Sequence, residues 1–342
     1  MKIAVYAIAK NEEQFVSSFC ESAKDADLIV IADTGSTDDT VKKAIEHGAT
    51  VHHISIKPWR FDKARDACLA LLPSDIDVCI SLDLDETLQP GWRDKVEAAW
   101  TKETTRLRYK FDWGSGVIFM AEKIHARHGY LWHHPCHEAL RPDARFKEVW
   151  GQINDLLVVH NPDPTKSRGQ YLDLLKMSVD EDPSCPRNAF YYARELTFYS
   201  MHQEAIAALN KYLAMPQAVW NNERAFAMRL LGNSTGDIAW YRRGVAEDPS
   251  VKETWLALSM ACSERGLWDE CLAAAKSALA IKERQYFYTE EAVSWGSRPH
   301  DLIALAAYNL GLKDLAVQHG EVAANIEPLN ERLISNLAFY KE

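Results

Sequence analysis

At 342 residues, with 47% hydrophobic and 26% charged side chains, the chain is long enough to fold as two globular domains. Its net charge of −10 is spread over both halves, with 20 Lys+Arg against 26 Asp+Glu up to Thr165 and 19 against 23 beyond it. That balance excludes the broad basic footprint of a nucleic-acid binder, so nucleic acid is an unlikely partner. The seven cysteines form no C-x-x-C pair, which points to buried reduced thiols rather than a disulfide framework or a cysteine zinc site. No signal-peptide core precedes Ile3, and no apolar run is long enough to span a membrane; cytoplasm is the expected compartment.

The first ninety residues alternate in the manner of a βαβ fold. Ile3–Ala9 reads as a buried strand, and Glu12–Ala23 as a helix through Phe15, Phe19 and Ala23. Asp27–Ala32 is a second strand, Asp39–Gly48 a helix stopped by glycine, and Thr50–Ser55 a third strand. Phe61–Leu72 continues as helix and Val78–Leu82 as a fourth strand. Strands separated by helices imply a parallel sheet with its sites at the C-terminal strand ends.

From Asn188 the texture changes to alanine-rich amphipathic helices. Small residues expected on successive second helices, Ala205, Ala239, Cys271 and Ala316, recur at intervals of 34, 32 and 45. A period near 34 is that of tetratricopeptide repeats, and the long last interval predicts an insertion at Tyr286–Trp295. The expected division is an α/β domain over 1–165, a linker or helix over 166–187 and helical repeats over 188–342.

Three constellations carry chemistry. In "ISLDLDETL" an apolar strand delivers Asp83 and Asp85, two residues apart and so expected on one side of the strand, beside Glu86. Paired carboxylates at a strand end are hard ligands for Mg²⁺ or Mn²⁺ bridging a diphosphate; a solvated, helix-capping loop is the plainer alternative. In "VIADTGSTDDT" Asp33 ends a strand and could accept from a uracil N–H, or belong to a capped turn in which Ser36 or Asp38 caps the next helix. In "ARHGYLWHHPCHEALR" the crowd of His125, His128, His133, His134 and His137 invites zinc, but no standard ligand spacing is present.

Taken in order, "AIAKNEEQFV", "VIADTGSTDDT", "FDKARDACL" and "SLDLDETL" resemble the family-two glycosyltransferases of GT-A fold, over roughly residues 1–160. The resemblance implies an α/β, Rossmann-like mixed sheet that binds a nucleotide sugar, followed here by the all-α tetratricopeptide-like domain. It puts Ala7 and Ala9 on a nucleotide-binding first loop with Asn11 and Glu12, Asp33 on the base, and Arg65 on the diphosphate. Asp83 then faces ribose or sugar, Asp85 is the principal metal ligand, and His160 completes the metal shell. The pair His137-Glu138 resembles the catalytic position of repeat-bearing relatives: Glu138 or His137 is the base, or Glu138 merely pairs with Arg141. Lys166 and Arg168 cover the diphosphate or form a charged linker. Relatives usually carry Asn where this chain has Asp66, a departure less favourable to phosphate.

The expected activity is a metal-dependent, inverting hexosyl transfer from a nucleoside-diphosphate sugar, by family habit a UDP-sugar. The repeats suggest a protein or peptide acceptor, as in the similar bacterial peptide S-glycosyltransferases, or a glycan; they also suit a homodimer. Two rival readings are a degenerate transferase domain acting as a repeat-based interaction scaffold and a transferase acting on nucleic acid.

Overall fold

The computed structural model describes residues 1–164 and 169–342 and divides into two compact units. The first comprises Met1–Glu181 together with Tyr286–Tyr288, and the second the remaining residues from Asp182 onward.

Unit one runs β1 (Ile3–Ala9), α1 (Val16–Ala23), β2 (Leu28–Asp33), α2 (Thr40–Glu46), β3 (Thr50–His53), α3 (Phe61–Ala70) and β4 (Val78–Ser81). These elements follow the sequence expectations to within a few residues at their ends, because short apolar runs punctuated by polar turns leave few alternatives. β1 pairs in parallel with both β2 and β4, and β2 with β3, giving the local order β3-β2-β1-β4. Beyond β4 the pattern changes. β5 (Glu86–Leu88), α4 (Trp92–Ala99), β6 (Arg106–Gly114), β7 (Val117–Ala126), β8 (Tyr130–His133), β9 (Ala139–Pro142), β10 (Trp150–His160) and α5 (Tyr171–Glu181) complete the unit. β7 joins β4 antiparallel, and the eight-stranded sheet continues β7-β6-β10-β5, while β8 and β9 form a separate ribbon. The sheet is therefore mixed. α5, within the stretch where the sequence suggested a linker or helix, belongs to this unit.

The period of two along β1 divides the core. Ile3, Val5, Ala7 and Ala9 face a layer with Phe19, Ile31, Ile80 and Trp92; Ala4 and Tyr6 face one with Cys68, Leu69 and Trp132. With both faces covered, the polar backbone and side chains at the ends of β1, β2 and β4 gather at one edge.

Unit two is all helix. The pairs are α6 (Pro186–Phe198) with α7 (His202–Leu213), α8 (Asn221–Thr235) with α9 (Ile238–Glu247), α10 (Lys252–Ser263) with α11 (Trp268–Ala280), and α12 (Arg298–Asn309) with α13 (Lys313–Ile326); α14 (Glu331–Lys341) packs on α13. Ala205, Cys271 and Ala316 are fully buried at the fourth position of their helices. Ala239 is not their equivalent: it is exposed, and Tyr241 fills that position in α9. The small residue has moved to the partner helix, where a Cβ on Gly232 of α8 would come within 2.5 Å of the Tyr241 ring. Large and small have exchanged sides at this contact, which a count of small residues along one strip cannot detect.

The predicted insertion occupies 281–297. Its later part lies along the first helices: Arg229 meets the Glu291 carboxylate at 2.8 Å and the Thr289 carbonyl at 3.3 Å, and Trp295 Nε1 donates to Glu253 at 3.0 Å.

Candidate functional site

The ends of β1 and β2 are stitched into one polar surface. Ala9, the last residue of β1, accepts from Thr34 N–H at 2.9 Å. Asn11, held at φ 55°, donates its N–H to Ser36 Oγ at 2.9 Å and accepts from Thr37 N–H at 2.8 Å. The Glu12 N–H donates to Thr40 Oγ1 at 2.7 Å. Ala7 and Ala9, expected on a loop, are instead strand residues buried in the core, because their apolar side chains alternate with Ile8 along β1.

Asp33 is buried where β2 ends, and accepts from the N–H groups of Gly35 and Ser36 at 3.1 Å and from His53 Nδ1 at 3.0 Å. Burial works to raise its pKa, but these donors from Ser36, His53 and Gly35 outweigh it and hold the carboxyl below the ordinary range. Asp33 is thus a fixed anion. The cap expectation shifts by one residue: Asp39 is the N-cap of α2 without using its side chain, and Asp38 accepts from Thr40 N–H at 3.0 Å.

β4 ends at Ser81, and the chain turns at once, with Glu86 N–H donating to the Asp83 carbonyl at 2.9 Å. Asp83 and Asp85 therefore lie in a turn rather than on a strand, and their carboxylates diverge. Asp83 accepts from Arg65 Nη2 at 2.7 Å and lies 3.6 Å from Lys123 Nζ. Asp85 faces His160, with Oδ2 and Nε2 3.5 Å apart and both side chains largely covered, 13% and 11% exposed. The His160 ring stacks on Trp113 at 4.5 Å, and its Nδ1 lies 3.4 Å from the Trp113 carbonyl. Burial works to lower the His160 pKa, but Asp85 outweighs it and favours a proton on the ring; a cation at Nε2 would take that proton's place, with Nδ1–H directed at the Trp113 carbonyl.

Arg65 projects from α3 and is only 3% exposed. Its guanidinium donates to Asp83, to Ser81 Oγ at 3.3 Å and to the Glu138 carboxylate, and lies 5.2 Å over the Trp132 ring. The residue expected to reach outward to a diphosphate is turned inward, because two carboxylates compete for it in a buried position. Glu138 pairs with Arg65 rather than with Arg141, which meets His134 Nε2 at 2.8 Å. His137 and Glu138 sit in the loop between β8 and β9, where His134 and His137 adopt positive φ of 82° and 50° and the Pro135 carbonyl accepts from Phe61 N–H at 3.0 Å. Asp66 accepts from Trp132 N–H at 2.8 Å, so its charge serves the β8 backbone.

Lys123 escaped sequence reasoning. It lies on β7, donates to Glu86 at 2.8 Å and stands beside Asp83. Burial pushes the Glu86 carboxyl up, to about 7, with Lys123 opposing and Asp83 reinforcing that rise. A lysine in an otherwise strand-like stretch, "MAEKIHA", was the available signal. Lys166 and Arg168 lie outside the described residues. The histidine crowd disperses: His125 is buried in contact with Tyr6 Oη at 2.9 Å, and His128 reaches the Ser74 carbonyl at 3.0 Å. Among the described residues no group of three or more His, Cys, Asp or Glu side chains is gathered to hold a metal ion. A cation here would have Asp85 and His160 as its protein donors, a hard oxygen and a borderline nitrogen that suit Mn²⁺.

No protein-family model matches the chain. A 97-residue stretch, 28% of this chain and 33% of the relative, is 34% identical to an uncharacterized glycosyltransferase of Rickettsia conorii. A 102-residue stretch is 32% identical to an uncharacterized glycosyltransferase of Rickettsia typhi, again 28% of this chain and 32% of the relative. The chain thus spans about a third of the curated relatives it matches. Among solved structures, MamA is 18% identical with TM-score 0.36, covering 47% of this chain and 83% of that one. Glucosyl-3-phosphoglycerate synthase from Mycobacterium tuberculosis, solved with Mn²⁺, uridine diphosphate and phosphoglyceric acid, is 24% identical with TM-score 0.29 over 33% and 44%. TM-scores this low leave the architecture to be read from the chain itself: a GT-A-like mixed α/β unit and a tetratricopeptide-like helical unit. Among the described residues no helix is long and apolar enough to cross a membrane.

Proposed function

We propose that the α/β unit is a metal-dependent, inverting glycosyltransferase that moves a hexosyl group from a nucleoside-diphosphate sugar, of the uridine class, to a protein, peptide or glycan acceptor. The observation that carries the reading is the pairing of Asp85 with His160 at the end of β4, with the imidazole's other nitrogen turned to the Trp113 carbonyl. The two glycosyltransferase relatives support it.

In this reading the nucleoside lies along the polar edge made by Asn11, Glu12 and the 33–37 turn, and Asp33 accepts from the base N–H. Asp85 and His160 hold Mn²⁺ or Mg²⁺, which when bound neutralises charge on the departing diphosphate. Arg65 is a positioning residue: it orients Asp83 toward the sugar side and Glu138 toward the acceptor. The acceptor's O–H or S–H proton passes to Glu138 while its heavy atom bonds to the anomeric carbon. The bond from that carbon to the diphosphate breaks in the same displacement, and the diphosphate leaves with the electron pair. Trp132, stacked beneath Arg65, and the buried Ser81 keep water from the guanidinium, so Arg65 holds both carboxylates in place without rearranging.

Thermal unfolding with uridine and guanosine diphosphates, each with and without Mn²⁺, tests the reading. At 100 times its dissociation constant a ligand adds about 2.7 kcal/mol. A shift that needs both one nucleotide and metal is expected; no shift with any nucleotide would instead favour the scaffold reading.

A further inference from the structure

Asp83, Asp85 and Glu86 put three carboxylates within four residues, and in an unrestrained loop their repulsion would spread them. The turn that carries them is held from several directions instead. Glu86 is only 2% exposed. Its N–H donates to the Asp83 carbonyl at 2.9 Å, and its Oε2 accepts from the Asp83 N–H at 3.1 Å, so residues 83 and 86 close on each other. Its Oε1 accepts from Lys123 Nζ at 2.8 Å. Lys123 in turn stands 3.6 Å from Asp83 Oδ2, while Arg65 donates to Asp83 Oδ1 at 2.7 Å. Each oxygen of Asp83 therefore faces a cation fixed on a different element, Arg65 on α3 and Lys123 on β7.

The same turn is tied to the Asp85–His160 pair. Glu86 opens β5 and lies opposite His160 in the antiparallel pairing of β5 with β10, and the next residue, Asn161, donates its N–H to the Asp85 carbonyl at 2.7 Å. Leu84, between the two aspartates, is buried in the core. The backbone is thus anchored on both sides of Asp85, by core packing at Leu84 and by strand pairing and a buried carboxylate at Glu86. Lys123 is placed by the sheet: the pairing of Ile80 with Ile124 brings it to the end of β4. Its Nζ lies 5.7 Å from the Phe111 ring, which also stands 6.0 Å from the ring of His160. Burial works to lower the Lys123 pKa, but Glu86 and Asp83 outweigh it and keep the ammonium charged. An ion pair of this kind adds little stability over an apolar pair of the same size. Its contacts with the turn give it a more specific use.

We propose that Glu86 and Lys123 are positioning residues of the α/β unit: together they clamp the 83–86 turn between β7 and β10, so that Asp83 and Asp85 keep their divergent directions when a divalent cation and a nucleoside diphosphate bind. This rests on the transferase reading above. Neither residue touches donor or metal; both act through Asp83, Asp85 and the backbone that carries them. Without the clamp the carboxylates repel one another, the turn relaxes, and Asp85 is no longer held toward His160.

Calorimetric titration of the full chain with uridine diphosphate, once in Mn²⁺ and once in a chelator, separates position from folding and from charge. Lys123→Met removes a positive charge, which through the field alone would tighten a bound cation. The clamp requires the opposite sign: binding in Mn²⁺ should weaken about tenfold. The double variant Lys123→Met/Glu86→Met preserves net charge, exchanges the ion pair for apolar side chains of similar size, and keeps the test decisive if the single variant fails to fold. It should show the same loss of about tenfold in Mn²⁺, with little change in the chelator and an unchanged circular dichroism spectrum. Wild-type affinity of the double variant in Mn²⁺ makes the pair structural only and overturns the inference. Tighter binding by Lys123→Met, or an equal loss with and without the metal, overturns it as well. If the wild-type chain itself gains no affinity from Mn²⁺, the transferase reading fails, and the clamp with it.

Discussion

In the α/β unit two cations, the buried Arg65 and the half-buried Lys123, are shared among three carboxylates, Asp83, Glu86 and Glu138. In the helical unit several charges are paired locally: Arg229 meets Glu291, Arg224 meets Glu247, and Asp301 meets two arginines. The first arrangement leaves each group dependent on several others. The second pairs its members in place and holds helices and insertion together. Shared charge at strand ends suits a site for a charged ligand, and settled charge between helices suits architecture.

That contrast can be broken by substitution. Arg65→Met should cost about 3–5 kcal/mol in denaturant unfolding, since it leaves two carboxylates facing a buried apolar site. A cost comparable to that of Arg224→Met in the helical unit would erase the distinction. Asp85→Asn should reduce metal-dependent turnover by about 10²–10³ with little change in unfolding midpoint; near-wild-type turnover removes Asp85 from the site. Gly232→Ala should cost about 1–3 kcal/mol, because the new Cβ must displace the Tyr241 ring. No loss there would mean that the exchanged large and small pair does not set the spacing of α8 and α9.

A further effect concerns pH. His125 is buried, accepts from Tyr6 Oη on Nε2 and donates from Nδ1 to the Ala126 carbonyl at 2.8 Å. Burial lowers its pKa to about 3, with Arg106 and Arg127 acting in the same direction. A base with a depressed folded pKa contributes stability above its ordinary pKa near 6.5 and loses it as pH falls from there toward 3. Unfolding free energy should therefore decline on acidification over that window, and His125→Gln should flatten the decline as measured by denaturant midpoints across pH. An unchanged profile in the variant assigns the acid limb to other groups.

Much of the molecule was legible in the chain. Ile3–Ala9, Leu28–Asp33 and Val78–Ser81 announce themselves because a strand buried on both faces needs an unbroken apolar run, and polar turns bound each one. The helical unit and its insertion follow from a repeat of small residues, and the candidate residues Asp33, Asp83, Asp85 and Glu138 follow from motif order. What spacing could not convey was direction. Asp83 and Asp85 were expected on one side of a strand, but the turn after Ser81 sends one to Arg65 and Lys123 and the other to His160. Glu138 finds a partner 73 residues away rather than three. Lys123 joins them only because β7 runs antiparallel to β4, and Tyr241 replaces Ala239 only because Gly232 on the facing helix makes room. Local pattern reports which residues are apolar and where turns fall. Which charges become neighbours depends on strand order and helix contact, set by burying the whole core at once, and this only the tertiary structure decides.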